Sequence, residues 1–214
     1  ANVEQAVAGA MVAKMRNGGA ACTAANRFYV HESVVAQFTA SFETALRGLK
    51  IGPGIDRANH LGAMVSETER DKIVELLQAA AQEGAQPRAI GEAPEIGAFI
   101  SPHVVSDVVH GSTLTRNEVF GPVVPIVTVS STDEAVLMAN DTDYGLISYI
   151  YAADKGVGIE VAQRMESGMV AINRGLASDP AAPFGGMKES GLGREGGFAG
   201  IHEFLQTQYL AVEL

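Results

Sequence analysis

Tryptophan is absent from these 214 residues, and cysteine occurs once, as Cys22. One thiol excludes an intrachain disulfide, which suits a reducing compartment. Basic charge is scarce: 15 Lys and Arg face 25 Asp and Glu, a net charge of -10. That excludes nucleic acid as an expected partner, since polyanion binding rests on clustered Lys and Arg. No apolar run approaches membrane length, and no basic stretch followed by an apolar one opens the chain. The expectation is a soluble, cytoplasmic protein with no membrane partner. Metal-ligand spacing is missing too. His31, His60, His103, His110 and His202 are scattered, with no H-x-x-x-H pair, so no metal site is expected. Repeats and low-complexity linkers do not occur. With 47% hydrophobic and 19% charged residues, the chain has the composition of a folded domain with one sizeable core.

What is present alternates between helical and extended patterns. Val3, Val7, Met11 and Met15, with Ala6 and Ala10 beside them, make one apolar helix face. Arg27 to His31 reads as a short strand. Ser33 is placed to cap a helix whose stripe is Val34, Phe38, Phe42, Ala45, Leu46 and Leu49, broken by Ile51-Gly52-Pro53-Gly54. Ser66 and Glu69 form a capping box ahead of Ile73, Leu76, Leu77 and Ala80, in a helix ending near Gly84. Short strands are expected around Phe99-Ile100 and Val104-Val108. Pro122 to Ser130 is nearly continuously apolar and β-branched, as a strand covered on both faces reads. Thr132 then caps a helix through Asn140. Strands over 146–152 and 169–173 enclose a helix over 156–166. The alternation predicts an α/β fold with a largely parallel sheet flanked by helices. From Ile201 to Leu214 the chain regains strand or helix character and reads as a docking arm.

Three runs bear on chemistry. In Arg16-Asn17-Gly18-Gly19-Ala20-Ala21-Cys22-Thr23, glycines remove the Cβ barrier ahead of a lone thiol, so the backbone can turn sharply and admit another molecule. Cys22 is therefore a candidate covalent nucleophile, against the alternative of a buried structural thiol. Asn117-Glu118-Val119-Phe120-Gly121-Pro122 sets a carboxylate and a ring at a tight turn before the apolar strand. Such a carboxylate can accept two ribose hydroxyls and such a ring can flank a flat heterocycle. The alternative is a solvated turn residue and a core ring. Gly191-Leu192-Gly193-Arg194-Glu195-Gly196 spells G-x-G-x-x-G, but Pro183 to Lys188 before it is no buried strand, so it reads as a glycine-rich surface crossing.

Taken together, Asn17 to Cys22 with Asn26-Arg27, Glu118 to Pro122, and Pro183-Phe184-Gly185-Gly186-Met187-Lys188 with Ser190-Gly191 resemble the aldehyde dehydrogenase superfamily in order and separation. Arg16 and the run from Gly191 to Gly196 resemble its succinate-semialdehyde dehydrogenase branch. The resemblance implies that Cys22 attacks an aldehyde carbon, that Glu118 binds the nicotinamide ribose of NAD or NADP, and that Phe120 packs near its ring. It also implies that Arg16 pairs with a substrate carboxylate, and that Asn173 and Ser178 line the same pocket. Two departures stand out. The length is under half that of a complete member, so the expectation is a catalytic domain (1–190) and a C-terminal return segment and oligomerisation arm (191–214), without the cofactor-binding domain. Ala24 replaces a second cysteine found in some relatives, which removes a local redox pair. The expected partners are a small aldehyde and, in the parent protein, further copies in a dimer or tetramer. A CoA-acylating relative and a non-catalytic oligomerisation module are the alternatives.

Overall fold

The computed structural model describes residues 1–213. Helix α1 (Val3–Met15) starts at Asn2, whose side-chain oxygen accepts the Gln5 N–H at 3.0 Å. A 3-10 turn over Arg16–Gly19 and an irregular loop lead into β1 (Phe28–His31). There follow α2 (Val35–Arg47), α3 (Glu67–Gln82), β2 (Gln86–Ala89), β3 (His103–Ser106) and the single turn α4 (Thr113–Arg116). Next come β4 (Val123–Val129), α5 (Thr132–Asn140), β5 (Tyr144–Gly145), β6 (Ile147–Ile150), α6 (Lys155–Gln163), β7 (Met169–Ile172) and β8 (Met187–Lys188). A second 3-10 turn, Gly200–Phe204, precedes an irregular tail.

The main sheet runs β1-β4-β3-β2, with β4 parallel to both β1 and β3 and β2 antiparallel at the edge. Successive side chains of a strand face opposite ways, and here each face meets helices. Val104, Val124 and Ile126 pack with Ala6, Val7, Ala10, Phe38, Phe42 and Leu46 of α1 and α2. Val105, Val123 and Val127 pack with Ile73, Leu77 and Ala80 of α3 on the other side. This is why the 122–130 run carries no polar alternation: six of the seven β4 residues are buried. Pro125, which has no N–H, sits where β4 changes partner. Its register with Val105 ends the β3 ladder, and Ile126 with Phe28 begins the β1 ladder. β6 and β7 form a separate parallel pair, and β5 and β8 a short antiparallel one.

The α/β class and largely parallel sheet stand as expected; several local expectations do not. Ser33 does not cap α2. Its hydroxyl and N–H both turn back to His31 Nδ1, at 2.8 and 3.2 Å, leaving Val34 as an N-cap without a side-chain bond. The Ser66–Glu69 box is half formed: Ser66 Oγ accepts the Glu69 N–H at 3.2 Å, but the Glu69 carboxylate takes Lys72 Nζ at 2.6 Å instead. The cap of α5 is Ser131, not Thr132. Phe99-Ile100 is not a strand, whereas Gln86–Ala89 is. Beyond Phe204 the described tail forms neither strand nor helix, and Leu214 lies outside the described residues. In the 191–196 run, Gly191, Gly193 and Gly196 all have positive φ, and Glu195 exchanges backbone bonds with Phe184 across an isolated bridge. No helix among the described residues is long and apolar enough to cross a membrane.

Candidate active site

β1 and β4 lie side by side and parallel, so the loops that lead into them are neighbours at one end of the sheet. One carries Cys22 and the other carries Glu118 and Phe120. Asn26 ties the two together: its Oδ1 accepts the Val119 N–H, and its Nδ2 donates to the Asn117 carbonyl, each at 2.8 Å. Arg27 reaches further, donating to the Thr115 carbonyl at 2.9 Å and the Ala139 carbonyl at 3.4 Å.

The cysteine loop owes its shape to three successive left-handed residues, Asn17 (φ 53°), Gly18 (φ 62°) and Gly19 (φ 80°). Asn17 is among the residue types that tolerate this region, and its Nδ2 donates to the Ala20 carbonyl at 2.7 Å. Gly19 is required twice, because a Cβ there would also overlap the Gly121 carbonyl. Ala24 N–H then donates to the Ala21 carbonyl at 2.9 Å, closing a turn around Cys22 and Thr23. Cys22 stands exposed on this turn, and its N–H donates to no acceptor among the described residues. Buried Thr23 is the anchor beneath it: Arg16 donates to Thr23 Oγ1 at 2.9 Å, and the Tyr149 hydroxyl of β6 donates to the Thr23 carbonyl at 2.8 Å. Burial pushes the Tyr149 hydroxyl's pKa up; Arg16 and the Thr23 bond oppose the rise, and Cys22 in its ionised form adds to it.

An open cavity of about 1160 Å³ is lined by Cys22, Asn26, Arg27, Glu118, Phe120 and Tyr149, among others. The Glu118 carboxylate is exposed and makes no hydrogen bond or ion pair among the described residues, so its oxygens are open acceptors. Phe120 is 42% exposed. Both therefore present toward solvent on the cavity wall, not into the core. A nucleotide's ribose hydroxyls and flat ring fit such a pair chemically. Arg16 does not line the cavity; it lies beneath the Cys22 turn, bonded to buried Thr23. Asn173 and Ser178 do not line the cavity either. Asn173, itself left-handed at φ 53°, spends its amide on Ala152, accepting from its N–H at 3.0 Å and donating to its carbonyl at 2.9 Å. It borders a shallow hollow beside α1 with Tyr151 and Arg174. Ser178 is exposed and makes no side-chain hydrogen bond among the described residues. No group of three or more His, Cys, Asp or Glu side chains among the described residues could hold a metal ion.

Two residues of this region carry no motif in the sequence. Tyr149 sits in an unremarkable Ile-Ser-Tyr-Ile strand and reaches the loop only through the fold. Lys14, at the end of α1, is 1% exposed, and its Nζ donates to the Val119 carbonyl at 3.3 Å. Burial lowers its pKa to about 7, against the opposing pull of the Glu118 carboxylate.

The chain matches the aldehyde dehydrogenase family over residues 1–210. It is 45% identical over 214 residues to a succinate-semialdehyde dehydrogenase of Paenarthrobacter nicotinovorans, covering 99% of this chain and 47% of that protein. It is 38% identical over 214 residues to a glutarate-semialdehyde dehydrogenase of Pseudomonas putida, covering 100% and 44%. Among solved structures, an Escherichia coli NADP-dependent enzyme superimposes with a TM-score of 0.95 at 35% identity, covering 100% of this chain and 45% of that one. The chain thus spans under half the length of the relatives it matches. With the family matched over nearly its whole length and the folds superimposable, the chain belongs to the aldehyde dehydrogenase family.

Proposed function

We propose that these residues are the catalytic-domain portion of an NAD(P)-dependent aldehyde dehydrogenase whose substrate is a short aldehyde ending in a carboxylate, with succinate semialdehyde first. The observation that carries this reading is the shared cavity, which has Cys22 on one loop and Glu118 with Phe120 on the next. Cys22 as thiolate attacks the aldehyde carbon and forms a thiohemiacetal. The free N–H of Cys22 is suited to the oxyanion that develops there. Arg16 offers a guanidinium fork to the distal carboxylate. Glu118 accepts from ribose hydroxyls and Phe120 packs beside the nicotinamide, which when bound supplies the two-electron acceptor. Oxidation leaves a thioester on Cys22, and water releases the acid and restores the thiol. None of Arg16, Asn173 and Ser178 borders the cavity, and Arg16 has the strongest claim of the three because it bonds to Thr23, the residue after Cys22. Two relatives are named for semialdehydes of dicarboxylic acids, which suits an arginine beside the thiol.

The 214 residues alone are proposed not to turn over. Nucleophile, base and cofactor act only when held together, and by resemblance the general-base glutamate and oxyanion-hole asparagine belong to a cofactor-binding half outside this sequence. The first test is intact-mass measurement of iodoacetamide labelling from about pH 6 to 9, beside Cys22→Ala and a small-thiol control. Labelling faster than the control is expected, slowed more by succinate semialdehyde than by butanal, with Arg16→Gln erasing that difference. Labelling no faster than the control, with no protection by either aldehyde, would remove the nucleophile from the proposal. Robust aldehyde oxidation by the isolated chain would overturn the claim of inactivity.

The exposed tail supports one more part of the reading: it is proposed to pair with a second copy of the chain, as an oligomerisation arm. Phe204, Tyr209, Leu210 and Val212 are all more than 70% exposed.

A further inference from the structure

Lys14 is the least accessible cation in the neighbourhood of the site, and nothing in the proposed chemistry uses it. It stands two residues before Arg16 and eight before Cys22, on the helix that ends in the nucleophile loop. Its amine crosses 105 residues of sequence to the Val119 carbonyl, between Glu118 and Phe120. That carbonyl already accepts the Gly121 N–H at 2.6 Å, so the ammonium is not needed merely to satisfy a buried acceptor. A methionine of similar length would fill the same space without the desolvation cost of a buried charge. The amine therefore does something that packing does not demand.

We propose that Lys14 is a positioning residue, whose buried amine holds the Glu118–Phe120 turn against the Cys22 loop and sets the spacing between the two halves of the site. This rests on the aldehyde dehydrogenase reading given above. The same seam contains the two Asn26 bonds and the close approach of Gly19 to the Gly121 carbonyl, neither of which can titrate. Lys14 can. From the turn after α4 it faces the Glu118 carboxylate, whose field favours the ammonium. From its own chain segment Arg16 is the nearest other charge, and that guanidinium is engaged with Thr23. From the loop before β1, Asn26 is uncharged and Arg27 is turned to the Thr115 and Ala139 carbonyls. Deprotonation of Lys14, near neutral pH, removes the charge that the field of Glu118 favours and leaves a weaker neutral hydrogen bond to Val119.

The test uses the whole 214-residue chain at rest, by NMR of the Lys14 side chain and of the backbone amides. In the wild type, the Lys14 ε signals and the Val119, Phe120 and Gly121 amides should titrate together, with a midpoint near 7. In Lys14→Met the amide titration should vanish, and exchange of the Val119 and Gly121 amides should quicken by about tenfold, with the β1–β4 ladder unchanged. In Glu118→Gln the Lys14 midpoint should fall, because the anion that favours its charge is gone. A general packing role would instead speed exchange throughout the core and would leave the Lys14 midpoint indifferent to Glu118. A Lys14 midpoint near 10.5, or Val119–Gly121 amides unmoved in Lys14→Met, would overturn the proposal. Glu118→Gln changes an exposed side chain, so that arm decides the matter even if Lys14→Met does not fold. No aldehyde or cofactor is involved. A failed labelling or turnover assay therefore counts against the functional reading alone, and unmoved amides against Lys14 alone.

Discussion

Gly18 and Gly19 are adjacent and both left-handed, yet the structure asks different things of them. A Cβ on Gly18 would meet open space, whereas one on Gly19 would overlap the Gly121 carbonyl across the seam. Gly18→Ala should therefore cost only the left-handed strain, about 1 kcal/mol. Gly19→Ala adds a backbone overlap that no rotamer relieves, for a loss on the order of 3 kcal/mol, and should also disturb Cys22 labelling. Urea unfolding of the two variants separates the cases, and equal losses would contradict the close approach. Lys14 gives a second contrast, in its pH dependence. The unfolded amine keeps the ordinary pKa of 10.5, while the folded one is lowered to about 7. Below pH 7 both are charged and the native state bears the full cost of a buried ammonium. Between those values the unfolded chain binds the extra proton, so stability rises with pH. Lys14→Met should consequently be more stable than the wild type below pH 7, by on the order of 5 kcal/mol, with the advantage fading as pH approaches 10.5. Unfolding midpoints of the pair at both ends of that range provide the check. A positioning role and a stability cost are then two aspects of one buried charge.

At the scale of elements, the site exists because two loops precede adjacent parallel strands, and Asn26 is the side chain that couples them. Asn26→Ala leaves the buried Val119 N–H unpaired, and should cost about 2 kcal/mol. The signature is local: faster hydrogen exchange at Val119 and around Asn117, with the amides of β1 and β4 protected as before. Uniform loss of protection would mean that the seam is part of the global core instead. The same distinction between local and long-range order explains what could be read before folding. β4 was legible because a strand covered on both faces must be apolar throughout, and α3 because its stripe at Ile73, Leu77 and Ala80 is helical in period. β2 was not: Gln-Pro-Arg-Ala has no alternation, and it is a strand only by pairing with β3 at an exposed edge. Cys22, Glu118 and Phe120 were legible as motifs, and the fold gathers them on one cavity. Asn173, which the resemblance places in the pocket, instead has its amide taken up in joining the ends of β6 and β7. Lys14 could not be found at all. A lysine in the last turn of a helix ordinarily faces solvent and favours the helix C-terminus, and nothing local marks this one as buried.

For the molecule as a whole, two features pull in opposite directions. The chain carries a net charge of -10, which sets copies against one another, while its tail exposes Phe204, Leu205, Tyr209, Leu210 and Val212. Among the described residues beyond Leu205, no backbone N–H enters a hydrogen bond. An extended apolar segment with free backbone groups is suited to adding itself to the sheet edge of another copy. If apolar burial and backbone pairing drive that association, deleting residues 205–214 should abolish it. Light scattering would then give the mass of one chain, near 22.3 kDa less the deleted segment, and a multiple for the intact chain. Salt decides which force holds the copies. Raising it from about 50 to 500 mM shortens the screening length, weakens repulsion between acidic copies and leaves the apolar contact intact, so the intact chain should associate more strongly. Contact made chiefly by surface ion pairs would respond in the opposite sense, and an unchanged mass after the deletion would show that the tail is not the element that joins the copies.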